Sequence, residues 1–391
     1  MNSLIILGRQ TDLAIAELES LYGNDSVSET ESNVATLNIE TESIKFENLG
    51  GSIKLAKIYG EFEYGKNNLY KTIQNTAEEI ASEMPEGKII LGLSFYNISI
   101  QSRDITKHGM LIKKTLKKSE RSVRLIPNQK AFLNSASVFH NKLTSVHGLE
   151  LIVAKIGNKF VIARTTNVQN IEAYRERDQE RPFRDSKIGM LPPKLAQIII
   201  NLARGQQPIS DSSTLLDPFC GSGVVLQEAS LMGLNVMGTD LNPKMVDFST
   251  NNLKWLKEKY PNIKSPLLVK VEDATIAKWS NFNFLAAETY LGQPFSYAPS
   301  RDVLEQEISN VNMLLKKFLK NLHEQIDENT GICIAVPAWN DRDKFISLPL
   351  IDQIEDMGYN FVNLKHISAK QLFYSREDQI VVRQLLVIKR K

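Results

Sequence analysis

Two short stretches hold the residues whose types and spacing could do chemistry. In LLDPFCGSGVVLQEA (215–229) an apolar strand runs into Asp217, Pro218, Phe219, Cys220, Gly221, Ser222 and Gly223, and then into a helix. Glycines at a strand-to-helix turn let backbone N–H groups and the helix N-terminus come close to a ligand. A second strand ends at Gly238-Thr239-Asp240, which places an acid where it can accept from both hydroxyls of a ribose. A third ends at Glu272-Asp273, with Asp273 available to an adenine amino group. A dinucleotide fingerprint would need a glycine at position 226, where Leu226 stands, and the Gly-Lys-Ser/Thr of a phosphate loop is absent. Asp217 carries an anion into the turn, which repels a pyrophosphate and suits the ammonium of a methionine moiety. S-adenosylmethionine fits these features; an unliganded turn and a nicotinamide or flavin site are the alternatives.

The other stretch is FNFLAAETYLGQPFSYAPS (282–300). An apolar run meets Glu288, Thr289, Tyr290, Leu291 and Gly292 in consecutive positions. This is either a catalytic strand end or a turn with incidental polar residues. The apolar strand before Glu288 and the close backbone approach that Gly292 permits favour the first. Cys220 reads as a small filler in its turn and Cys333, in an apolar strand, as core. The five histidines are scattered and no cluster has metal-ligand spacing, so no metal is expected.

The elements that must position these residues fall into two patterns. From residue 191 onward, strands alternate with helices, the sign of a doubly wound, mostly parallel sheet. Residues 1–168 read as α+β with an antiparallel sheet, including a hairpin over 149–168 that turns at Gly157-Asn158. The arginine-rich segment 169–190 has little apolar periodicity and reads as a connection. The expected division is a small N-terminal domain (1–50), a second domain (51–168), a linker (169–190) and the doubly wound domain (191–391).

With 391 residues, 42% of them hydrophobic, the chain can build two or three cores. It has no run of about eighteen apolar residues that could span a membrane. The start, MNSLIILGRQ, does not read as a signal peptide. Two cysteines suggest a reducing compartment, and a cytoplasmic location is expected. The net charge of +2 is unevenly spread: residues 1–50 hold nine acidic and two basic side chains, residues 101–190 eighteen basic and eight acidic. A basic segment of this kind attracts a phosphate backbone or simply solvates a helix face.

These residues resemble a known family. DPFCGSG followed by TDLNPKMV is similar to the cofactor motif of RNA methyltransferases that act on the exocyclic N2 of guanosine in tRNA. RPFRDSKIGMLPPKLAQIIINLA resembles the segment those proteins carry before that motif. GLSFYNI, GMLIKKTLKKSERSVRLIP, LNSASVFHNKL and ELIVAKI are together similar to a THUMP domain, an RNA-binding module, and residues 1–50 to the small domain that accompanies it. The resemblance implies a Rossmann-like class I methyltransferase domain using S-adenosylmethionine, with tRNA guanosine 10 as substrate. It adds Pro193, whose helix covers the cofactor, and Leu241, beside Asp240, to the cofactor residues.

Amino-methyltransferases of this type usually carry Asp or Asn-Pro-Pro-Tyr after the fourth strand. There a carboxylate and a carbonyl accept from the amine, and a ring stacks on the base, so that orientation and preorganised electrostatics do the catalysis. Glu288-Thr289-Tyr290-Leu291-Gly292 stands at that place without the prolines. The resemblance makes Glu288 the acceptor, with Tyr290 or Phe295 as the stacking surface. It also makes Lys113, Lys114, Lys117, Lys118, Arg121 and Arg124 the expected tRNA face, with the linker arginines Arg175, Arg177, Arg181 and Arg184 as an extension. The alternatives are an amino-methyltransferase of another specificity, on DNA or RNA, and a tRNA-binding protein that keeps the fold with little turnover. An activating protein subunit is left open.

Overall fold

The computed structural model describes residues 2–63, 69–118, 120–184, 190–264, 266–295, 297–341, 344–376 and 379–391. The chain divides into two compact units. The first comprises Met1–Thr11, Asp25–Glu47 and Gly51–Ala173; the second comprises Asp12–Asn24, Asn48–Gly50 and Tyr174–Lys391.

The first unit is built on one eight-stranded sheet. Its strands are β1 (Ser3–Leu7), β2 (Val27–Glu31), β3 (Val34–Leu37), β4 (Ser52–Glu63), β5 (Ile89–Tyr96), β6 (Val123–Leu125), β7 (Gly148–Ile156) and β8 (Lys159–Val168). Their order is β2-β3-β1-β4-β8-β7-β5-β6. The expected division at residue 50 does not interrupt this sheet, because β4 pairs with β1 on one side and β8 on the other. The twelve residues of β4 are enough to serve both neighbours. The β7–β8 hairpin turns at Gly157, whose φ of +56° is cheap for glycine. Helices α2 (Leu69–Glu83) and α3 (Ser102–Lys118) bury Ile73, Ile80, Ile105, Ile112 and Leu116 in a core with β5 and β7.

Helix α1 (Thr11–Tyr22) follows β1 in sequence, yet from Asp12 onward it belongs to the second unit. Leu13 and Ala16 enter that unit's core, and the Glu17 carboxylate accepts from Asn201 and from the Gly50 backbone.

Strands β9 (Thr214–Asp217), β10 (Asn235–Asp240), β11 (Leu267–Val271), β12 (Phe284–Glu288) and β13 (Gly331–Asp341) of the second unit are parallel. The sheet order is β11-β10-β9-β12-β13-β17-β15, where β15 is Tyr359–Phe361 and β17 is Val381–Arg390. β17 runs antiparallel to β13, and short β14 (Lys344–Ile346) and β16 (Phe373–Tyr374) add to β13 and β17. Helices α6 (Pro193–Arg204) and α7 (Val224–Leu231) cover one face and α9 (Arg301–His323) the other, so the central strands read as unbroken apolar runs. The order reverses between β9 and β12, and such a switch point opens a crevice at the carboxyl ends of the strands.

The helices start where local chemistry dictates. Pro193 occupies the first position of α6 and Gly205 caps its end. Asn242 caps α8 (Pro243–Lys259) by accepting from the Lys244 N–H at 3.0 Å, with Pro243 at the first position. Short α4 (Ser135–His140) and α5 (Ile171–Arg175) complete the helices named here. The connection expected at 169–190 is mostly folded into the second unit. Arg177 donates to both oxygens of Glu228 at 2.7 and 3.2 Å, Gln197 donates to the same carboxylate, and the Tyr174 hydroxyl donates to Gln197. Arg177 and Arg181 are therefore buried and do not extend a surface track, while Arg184 donates to the Gln179 carbonyl and Arg175 pairs with Glu180. Residues 185–189 of the segment expected to cover the cofactor lie outside the described residues.

Candidate active site

The glycine turn folds around Asp217, which ends β9 and is 2% exposed. Its Oδ1 accepts from the Phe219 N–H at 3.1 Å. Burial pushes this carboxyl well above the usual carboxylate range, the Phe219 N–H opposes that, and the charges of Asp240 and Glu288 add to it. A buried carboxylate with so little compensation is a fitting seat for a cation such as an ammonium. Gly221 and Gly223 have φ of +50° and +84°, conformations that glycine adopts without a Cβ penalty.

Asp240 braces the same turn. Its Oδ2 accepts from the Gly221 N–H at 2.9 Å and its Oδ1 from the Asn242 N–H at 2.8 Å. Each oxygen keeps a second lone pair, so ribose hydroxyls remain within its capacity. Leu226 takes the place of a dinucleotide glycine because the strand opposite has Gly238. A Cβ on Gly238 would come 2.5 Å from the Leu226 Cδ1. Close helix–strand packing is kept, with the small and large residues exchanged.

The remaining expected cofactor residues spread outward. Leu241 is exposed, Asp273 accepts from the backbone and hydroxyl of Thr275, and the Glu272 N–H donates to the Asp240 carbonyl. Pro193 is buried at the start of α6. One cavity brings together Asp217, Phe219, Cys220, Gly221, Ser222 and Glu288, closed by Met190, Leu191 and Met245. Its lining does not include Pro193, Asp240, Leu241, Glu272 or Asp273. Burial pushes the thiols of Cys220 and Cys333 up, so neither is a thiolate nucleophile.

Glu288 ends β12 and faces this cavity. Its Oε1 accepts from the Arg383 Nε at 2.5 Å, and Arg383 is 5% exposed on β17. Burial raises the Glu288 carboxyl, and Arg383 opposes that shift by charge and hydrogen bond. The other four residues of the stretch do different work. Thr289 turns away, its N–H and hydroxyl both donating to the Ala335 carbonyl at 3.0 and 3.1 Å. Tyr290 is 46% exposed and Leu291 half-buried, while Phe295 packs against the core beneath α9. Gly292 has φ +86°, and just beyond it the Gln293 N–H donates to the buried Glu307.

Sequence reasoning missed Arg383, Glu307 and Asn252. Asn252, fully buried on α8, accepts from the Phe183 N–H and donates to the carbonyls of Phe183 and Ser222. It clasps the segment before α6 to the glycine turn. These are polar residues at apolar positions in their elements, the one signal available beforehand.

In the first unit, α3 turns Ile105, Gly109, Ile112 and Leu116 inward, leaving Lys114, Lys117 and Lys118 exposed and Lys113 half-buried. Arg121 is committed elsewhere. It donates to the carbonyls of Ala81, Met84 and Pro85 at 3.0, 3.3 and 2.6 Å, at the end of α2. Arg124 is exposed and donates to Asn141.

Comparison with known proteins adds to this sheet order, braced glycine turn and strand-end carboxylate. Residues 180–280 match the UPF0020 family, an RMKL-like methyltransferase domain. These residues therefore resemble a methyltransferase domain. The chain is also 27% identical over 192 residues to a protein named tRNA (guanine(10)-N2)-dimethyltransferase from Methanothermobacter thermautotrophicus, covering 49% of this chain and 51% of that one. A protein of the same name from Pyrococcus abyssi is 29% identical over 201 residues, covering 50% and 52%. The chain thus spans about half the length of the curated relatives it matches. The crystal structure of TrmN from Thermus thermophilus aligns over 100% of both chains with a TM-score of 0.50 and 13% identity, which shows a shared fold. A methyltransferase domain implies S-adenosylmethionine as cofactor, and the chemistry of Asp217 and the glycine turn fits the ammonium of its methionine moiety. No helix among the described residues is long and apolar enough to cross a membrane.

Proposed function

We propose that this chain methylates the exocyclic N2 of a guanosine in tRNA, with S-adenosylmethionine as donor. The observation that carries the reading is one cavity holding both a buried carboxylate at the glycine turn, Asp217, and a carboxylate at the end of the fourth parallel strand, Glu288. The first suits the cofactor's ammonium and the second an amine. The names of the relatives supply the substrate, and guanosine 10 follows from them.

The cofactor, when bound, supplies an electrophilic methyl group on a sulfonium. The amine of guanine is a poor nucleophile because its lone pair is delocalised into the ring. Glu288 would accept an N–H from that amine, hold it in line and draw its proton as the N–C bond forms. Gly221 would let the turn approach the cofactor, Gly223 lets the turn pack against Ser249 of α8, and Asn252 would hold the segment around Phe183 beside it. The base must leave its stack to reach Glu288. The first unit, with Lys114, Lys117 and Lys118 on α3, would supply the RNA contact that a THUMP-like domain makes, largely through phosphate and shape.

Labelled methyl transfer from S-adenosylmethionine to tRNA transcripts, followed by nucleoside analysis, tests this. N2-methylated guanosine is expected. A labelled product of any other kind, or label in duplex DNA in preference to tRNA, overturns the assignment.

A further inference from the structure

We propose that Arg383 is a positioning residue that holds Glu288 as an ionised acceptor, and that this pair is what selects guanine over other bases carrying an exocyclic amine. The inference rests on the proposed function and specifies how its site reads the base.

Arg383 does not lie on a strand next to β12. It stands on β17, opposite Pro337 of the intervening β13, and extends to the end of β12. Its Nε is 2.5 Å from the Glu288 Oε1, with side-chain exposures of 6% and 17% for the two residues. On its other flank β16 places the Tyr374 ring 6.0 Å from the guanidinium, opposite Arg383 in the strand register. Burying a guanidinium is costly unless a hydrogen-bonded anion compensates it, and here that anion is Glu288. Glu288 shares its cavity with Asp217, a second buried carboxyl at the end of β9. Burial raises the Glu288 carboxyl and Arg383 opposes that shift by charge and hydrogen bond, so loss of Arg383 would push Glu288 further toward the neutral acid.

The charge state decides which base fits. An ionised carboxylate offers only acceptors, about four lone-pair sites on two oxygens, of which Arg383 uses one. Guanine presents two adjacent donors, N1–H and the N2 amine, and matches it. Adenine and cytosine present a ring-nitrogen acceptor beside the amine, which an acceptor-only group repels. A protonated Glu288 would offer one donor and one acceptor and would lose the distinction.

The experiment uses the full chain and tRNA transcripts in which the target guanosine is kept or replaced by 2-aminopurine. That analogue keeps the N2 amine but has an acceptor at N1. Wild type is expected to prefer guanine by at least about a hundredfold in kcat/KM, since a site built for a donor rejects an analogue lacking it. Arg383→Gln should reduce this ratio to below about tenfold and move the acid limb of its pH–rate profile upward by at least about one unit. Arg383→Lys should restore much of both. Binding of S-adenosylhomocysteine, measured by calorimetry, should stay within about threefold of wild type and shows that the variant is folded. If Arg383→Gln does not fold, Glu288→Gln serves, and it should lose guanine preference in the same way. A guanine-to-2-aminopurine ratio and pH profile unchanged in Arg383→Gln, or a ratio unchanged in Glu288→Gln, overturns the inference and leaves the proposed function standing. Wild type that transfers no methyl to tRNA overturns both.

Discussion

Glu307 on α9 accepts a hydrogen bond from the Gln293 N–H at 2.8 Å, which pins the chain just past the strand end that carries Glu288. Between them Gly292 has φ +86°, and a Cβ there would lie 2.8 Å from the Glu307 Oε1. Gly292→Ala is therefore predicted to cost roughly 1–3 kcal/mol of stability and to lower kcat more than it alters cofactor affinity. Urea unfolding and steady-state kinetics on tRNA check this; wild-type stability in the variant would show that the loop relaxes freely.

Asn252 makes three hydrogen bonds that join Phe183 to Ser222. Asn252→Ala should leave buried backbone groups without partners, at about 1–3 kcal/mol each before relaxation. The expected result is weaker binding of S-adenosylhomocysteine with tRNA affinity retained. Calorimetry and filter binding on one preparation separate the two, and equal loss of both would point to global damage instead.

Arg121 and its neighbours on α3 should behave differently from one another. Arg121→Ala removes the donor for three carbonyls at the end of α2, so thermal stability should fall, by about 1–3 kcal/mol. Lys114→Glu with Lys118→Glu should leave stability within about 0.5 kcal/mol while weakening tRNA binding. The salt slope of binding should fall by about one for each phosphate no longer neutralised. An unchanged salt slope would remove α3 from the RNA face.

Asp217 predicts a pH dependence with a definite sign. Its carboxyl is raised in the folded protein, by burial first and by Asp240 and Glu288 second, so the native state favours the neutral form. Its contribution to unliganded stability is present at low pH and falls as pH rises from the ordinary carboxylate range toward the raised value. A ligand's ammonium group is held better by the ionised form. Affinity for S-adenosylhomocysteine should therefore rise with pH across the same window, with release of a proton on binding. Calorimetry in buffers of different ionisation enthalpy measures that proton, and Asp217→Asn should abolish its release and weaken binding at neutral pH.

Most of the glycine turn was legible beforehand because it is local. Asp217 through Gly223 are consecutive, their conformation follows from glycine at two positions, and the strands on either side announce themselves by apolar runs. Glu288 was legible as a strand end for the same reason. Thr289 was not separable from it, since only the register of β12 on β13 turns its hydroxyl to the Ala335 carbonyl. The arginine-rich segment looked like a surface linker because the partner of Arg177, Glu228, sits 51 residues away on α7.

The amino-acid sequence alone determined the alternation of strands and helices, the glycine turn and the acid that ends the fourth parallel strand. These depend on propensity, period and adjacency, which neighbouring residues settle among themselves. The tertiary structure decided that β4 joins two expected domains in one sheet, that Arg121 serves α2 rather than an open surface, and that Arg383 reaches Glu288. Each depends on strand register or helix docking between segments far apart in the chain. A shift of one residue in β17 would carry Arg383 to the opposite face of the sheet, and no local pattern near Glu288 reports which face it takes.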